Sequence, residues 1–165
     1  MNRVSIRTDV LDLVLPTLEE VFASLENMPP EVRVELSPEW LARVKASVAP
    51  DPWLHGFNIV HRESGSVIGS CGYKGPPDDD AAVEIAYGLE QQHRGRGYAT
   101  EAARALVRFA FDSGQVALVR AHTKDASGAS ARVLTKCGFE CVGEVTDPED
   151  GLVWRWELRP PSTRV

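Results

Sequence analysis

Residues 83–111 place the tightest limit on what this chain can fold into. Val83, Ile85, Tyr87 and Leu89 alternate with Glu84, Ala86 and Gly88, the period of a strand with one buried face. Ala99, Ala102, Ala103, Leu106, Val107, Ala110 and Phe111 then recur at helical spacing, and Gly114 supplies a stop. Between the two periods lies Gln92-His-Arg-Gly95-Arg-Gly97-Tyr98. A strand that passes through a glycine turn into a helix makes an anion site by geometry. The glycines let backbone approach a ligand closely, and the first-turn amides point outward with the helix dipole behind them. Arg94 and Arg96 add cations there. Taken alone, the GxG pattern equally describes an ordinary tight turn with two solvated arginines.

Two common phosphate-binding frameworks are excluded. The dinucleotide fingerprint needs a third glycine where this chain has Thr100, and it needs a parallel βαβ unit where the preceding strands read as a meander. The P-loop pattern GxxxxGK[ST] is absent. The rest of the chain supplies a strand over 10–15, a helix from a Thr17-x-x-Glu20 capping box and a second helix from Ser37-Pro38. A hairpin follows over 57–73, with a break at 28–31 before it and a loop at 75–80 after it. Beyond Gly114 come a strand over 116–123, a short helix ending at Gly138, and strands over 139–145 and 153–158. The order predicts an α+β fold: a mixed, mostly antiparallel sheet of about seven strands flanked by about four helices. At 165 residues the chain fits a single domain, 1–165.

Composition narrows the partners. A net charge of −6 argues against nucleic acid, and no apolar run reaches the roughly 20 residues that span a bilayer. The first residues lack the long apolar core of a signal peptide, so a cytoplasmic protein is expected. Cys71, Cys137 and Cys141 form no CxxC pair, and the scattered His55, His61 and His93 suggest no metal site.

Gln92-x-x-Gly95-x-Gly97 resembles the [QR]xxGxG/A pyrophosphate motif of the GNAT (Gcn5-related) N-acetyltransferase superfamily. The runs Glu84-Ile-Ala-Tyr87 and Arg94 to Ala102 are similar to the branch of RimJ/RimL-like ribosomal-protein N-terminal acetyltransferases. The segment Ser130-Ala-Arg-Val-Leu-Thr-Lys-Cys-Gly-Phe139 resembles that family's second cofactor segment. The resemblance covers a cofactor core of about residues 55–145.

It implies acetyl transfer from acetyl-CoA to a primary amine, either a small molecule or a peptide N-terminus, by direct attack on the thioester and without a metal. It also implies a monomer or homodimer. By analogy Tyr87, Gly88 and Leu89 pair with the pantetheine arm, and Gln92, Arg94, Gly95, Arg96, Gly97, Tyr98, Ala99 and Thr100 form the pyrophosphate turn. Ser127 and Ser130 line the opposite wall. An alkyl amine has a pKa of roughly 10 and must lose a proton before it attacks, and Glu84 resembles the family's general base. Its alternative is a solvent-facing strand glutamate.

Two departures stand out. Ser127 replaces a common asparagine, and Leu134 replaces a common tyrosine acid, which leaves Ser130 as a candidate donor to the departing thiolate. The missing tyrosine keeps open a second reading, a catalytically weak acyl-CoA-binding or sensing module. His122 faces either the amine site or the core. Arg132 and Lys136 touch either the cofactor's 3′-phosphate or solvent. Trp40 and Trp53 belong either to an acceptor pocket or to core packing.

Overall fold

The computed structural model describes residues 5–34, 36–148 and 150–161. The chain opens with a hairpin of β1 (Ser5–Arg7) and β2 (Leu11–Val14), and the alternation of β2 sends Leu11 and Leu13 fully into the core. Thr17 caps α1 (Leu18–Glu26), its hydroxyl accepting the Glu20 N–H at 3.2 Å. Ser37 does the same for α3 (Pro38–Lys45), accepting from Trp40 N–H at 3.3 Å. Between them a one-turn helix, α2 (Pro30–Arg33), begins within the 28–31 break and runs two residues past it, started by a proline whose fixed φ suits the first helical position. Strands β3 (Phe57–His61), β4 (Ser66–Tyr73) and β5 (Ala82–Leu89) then form the expected meander. Next come α4 (Tyr98–Asp112), β6 (Leu118–Thr123), α5 (Ala129–Lys136), β7 (Glu140–Asp147) and β8 (Gly151–Leu158).

The eight strands make one sheet in the order β1-β2-β3-β4-β5-β6-β8-β7. Every neighbouring pair is antiparallel except β5 and β6. The α+β layout therefore holds, with β1 and α2 added to the expected elements. Both are too short for a periodic signal. On one face α4 lays Ala102, Ala103, Leu106 and Ala110 against the sheet, all with no exposed surface. Three alanines let the helix approach closely, and burying Leu106 contributes about 1.5–3 kcal/mol. A second, smaller core joins Val21 and Leu25 of α1, Val44 of α3 and Leu54.

The parallel pair shapes everything downstream. Residues Ala82, Val83 and Glu84 pair with Leu118, Val119 and Arg120, and the pairing ends there although both strands continue. On its other edge β5 stays bonded to β4 as far as Leu89. At Gly69 of β4 a side chain is impossible, since a Cβ would lie 2.2 Å from the Gly88 carbonyl oxygen. From Ile85 onward, β5 and β6 diverge and leave a wedge between them.

Candidate active site

The wedge opens into two cavities that meet at Tyr87 and Ser130. The first, about 440 Å³, runs from the divergent end of β5 to the N-termini of α4 and α5. The Lys74 N–H donates to the Glu84 carbonyl and the Glu90 N–H to that of Ile68, both at 2.9 Å. In a regular antiparallel ladder this alternation turns the main-chain groups of Ala86 and Gly88 toward β4. Those of Ile85, Tyr87 and Leu89 turn toward the wedge.

The turn that follows is built by two left-handed glycines, Gly95 (φ 78°) and Gly97 (φ 84°), a region in which side chains cost energy. Arg94 ties it back to the strand, its Nε–H donating to the Leu89 carbonyl at 3.1 Å. Gly97 is the N-cap of α4 and supplies no capping side chain, and the first bond of that turn runs from Glu101 N–H to Gly97 O. Glu101 is engaged elsewhere, accepting from the Thr8 hydroxyl and the Val10 N–H. The amides of Tyr98, Ala99 and Thr100 are thus presented to the cleft without an internal acceptor. Arg94, Arg132 and Lys136 line the same cleft and no carboxylate does, in a chain of net charge −6.

The second cavity, about 190 Å³, holds the titratable groups. Glu84 Oε2 lies 2.9 Å from Lys74 Nζ and 3.0 Å from Nδ1 of His122. Arg155 Nε–H donates to His122 Nε2 at 3.1 Å. A guanidinium has only donors, so Nε2 is the acceptor and neutral His122 carries its proton on Nδ1, beside Glu84. Nδ1 is buried and makes no aligned hydrogen bond, so its contact with Glu84 is electrostatic. Both close contacts fall on Oε2. From Glu84 a wider cleft of about 830 Å³ leads outward between Trp40 and Arg43 of α3 and the turn at Asp147.

At the junction the Tyr87 hydroxyl donates to the Ser130 carbonyl at 3.4 Å. Burial pushes that hydroxyl up to about 12, so it remains a proton donor at neutral pH.

Ten of the expected cofactor residues line the first cavity: Tyr87, Gly88, Leu89, Arg94, Gly95, Gly97, Tyr98, Ala99, Thr100 and Ser130. Gln92 instead donates its side-chain amide to Glu90, and Gln92, Arg96 and Ser127 are not on the cavity wall. Leu134 is fully buried in the core. Trp53 packs tilted against Tyr73 beside the main core, with ring centroids 4.7 Å apart, and Trp40 packs against the second core while also walling the outer cleft. Reading the sequence missed Lys74, Arg155 and the position of the Tyr87 hydroxyl. The strand alternation carried a signal for Tyr87 alone, since it sets that ring on the same face as Ile85. Among the described residues no group of three or more His, Cys, Asp or Glu side chains is placed to hold a metal.

Comparison with known proteins bears on the family and the fold. The uncharacterized N-acetyltransferase YjdG of Bacillus subtilis (strain 168) is 30% identical over 89 residues, 54% of this chain and 51% of that protein. The chain thus spans about half the length of the curated relatives it matches. Two solved structures share the fold. A RimL ribosomal-protein α-N-acetyltransferase in complex with coenzyme A superposes with a TM-score of 0.69 at 14% identity, over 94% of this chain and 98% of that one. A microcin self-immunity acetyltransferase, MccE, in complex with acetyl-CoA and AMP gives 0.65 at 14%, over 92% and 93%. The family described as acetyltransferase (GNAT) domain matches residues 8–140, most of the chain, and the protein belongs to that family.

Proposed function

We propose that the protein transfers the acetyl group of acetyl-CoA to a primary amine, working in the cytoplasm as a monomer or homodimer. One observation carries the reading: an acid-free cationic cleft meets, at Tyr87 and Ser130, a second cavity that holds a carboxylate. The α4 amides and the cations Arg94, Arg132 and Lys136 would hold the cofactor's phosphates. The wedge-facing main chain of Tyr87 and Leu89 would pair with the pantetheine arm, which brings the thioester to the junction. The acceptor would enter through the outer cleft beside Trp40 and give its proton to Glu84. The Ile85 or Tyr87 N–H would then face the developing oxyanion. Small amines and peptide N-termini both fit an opening of that size, and the related structures of ribosomal-protein acetyltransferases favour the peptide.

The test pairs titration calorimetry of acetyl-CoA with thiol release over a panel of amino acids, polyamines, aminoglycosides and short peptides with free N-termini. Binding with saturable thiol release establishes the reaction and its acceptor class. Binding with no release across the panel favours the acyl-CoA-binding module, the reading that buried Leu134 keeps in play. Absence of binding at about 1 mM, a very weak regime, refutes both.

Within this reading Tyr87 takes the place of the missing tyrosine acid. Thiolate, with a thiol pKa of about 8.5, leaves tolerably unaided, so Tyr87→Phe is expected to lower kcat by about tenfold. The acetyl-CoA Kd should stay within about twofold, since the ring and its packing are kept. Unchanged turnover would reduce the hydroxyl to its bond with Ser130.

A further inference from the structure

We propose that Lys74 is a self-acetylation site, its ε-amine serving as an internal acceptor for the acetyl-CoA chemistry proposed above, on which this inference rests. Lys74 follows directly on β4, and its N–H donates to the Glu84 carbonyl, so the two residues stand opposite each other across the β4–β5 ladder. Their side chains converge in the small cavity, with Nζ 2.9 Å from Glu84 Oε2 and 3.8 Å from Asp150 Oδ2. Tyr87 and Ser130 line that cavity and also the cleft assigned to the cofactor. A primary amine is therefore already seated on the carboxylate that serves as base. It needs no association step, and prepaid positioning of this kind raises an amine's effective concentration by orders of magnitude.

The reaction balances without further reagents. Of the two protons that the ammonium loses, one passes to Glu84 and the other to the departing thiolate. The freed lone pair forms a C–N bond to the thioester carbonyl carbon as the C–S bond breaks. The product amide is stable, so each chain is modified once, and Glu84 and Asp150 then face a neutral acetyl-lysine. The remaining lysines are placed differently. Lys45 is exposed on α3, Lys136 lies beside the cofactor cleft, and Lys124 lines the small cavity with no ion pair to Glu84.

The experiment incubates the full chain with acetyl-CoA and no amine, follows thiol release, and maps acetylated lysines by peptide mass spectrometry. Calorimetry establishes cofactor binding in parallel. Thiol release is expected to stop at one per chain, with Lys74 acetylated at least about tenfold faster than Lys45 or Lys124. Glu84→Gln should bring Lys74 down to the rate of Lys45. Lys74→Arg should abolish the single-turnover release while still binding acetyl-CoA. If the cofactor binds and external amines are acetylated, yet Lys74 reacts no faster than Lys45, the inference is overturned and the function stands. If acetyl-CoA does not bind, both fall.

Discussion

Replacing Glu84 by glutamine is expected to lower kcat for amine acetylation by about 10²–10⁴-fold, the range of one positioned general base. The substitution keeps the shape of the side chain and removes its capacity to take a proton. Lys74 and His122 both approach Oε2, so Oε1 is the oxygen left to face an incoming amine. Arg155 donates to His122 Nε2, so that nitrogen's lone pair is already engaged and is not offered to an incoming amine. The residual activity of Glu84→Gln should climb with pH as the free-amine fraction grows toward the amine's pKa of roughly 10, a slope shallower in the wild type. Affinity for acetyl-CoA should move by less than about twofold, because Glu84 does not line the cofactor cleft. Wild-type turnover across the whole pH range would remove Glu84 from the chemistry and leave it as the ion-pair partner of Lys74.

Much of the candidate site is legible in local sequence because the half proposed for the cofactor is local. Tyr87, Gly95, Gly97 and Thr100 fall within one strand–turn–helix unit, and the change of period from two to 3.6 marks both ends of the turn. The acceptor half is assembled from residues far apart in the chain. Glu84, Lys74, His122 and Arg155 stand on or beside four different strands, and they meet through the pairings of β4 with β5, β5 with β6 and β6 with β8. No periodicity encodes that meeting. The wedge is likewise invisible in sequence, since Ile85 to Leu89 alternate as regularly as Val83 and Glu84 while the parallel pairing stops. Gln92 and Ser127 show the reverse limit. Gln92 matches the motif and Ser127 stands where it has asparagine, yet the main-chain path of each turn decides whether a side chain faces the cleft, and Gln92 bonds to Glu90 instead.

Gly97→Val is expected to cost about 1–2 kcal/mol of stability and to raise the Kd for acetyl-CoA by about 10- to 100-fold. The first effect comes from backbone alone. At φ 84° a β-branched residue crowds its own carbonyl, which corresponds to a fall of roughly 2–8 °C in Tm for a chain of this size. The second effect comes from place. A Cβ on Gly97 would meet no atom within 4 Å, so the valine would not clash with the fold, and Gly97 lines the cleft proposed for the cofactor, where added bulk is expected to hinder a ligand at the α4 amides. Gly65, in the turn between β3 and β4, separates the two effects. It has φ 71° and open space around its Cβ, yet it is on the wall of neither site cavity. Gly65→Val should therefore lose similar stability and keep wild-type affinity. Equal affinity in the two variants would detach the glycine turn from phosphate binding. Weakened binding in Gly97→Val alone would tie the anion site to the bare main chain of that turn, where any side chain would occupy the ligand's place.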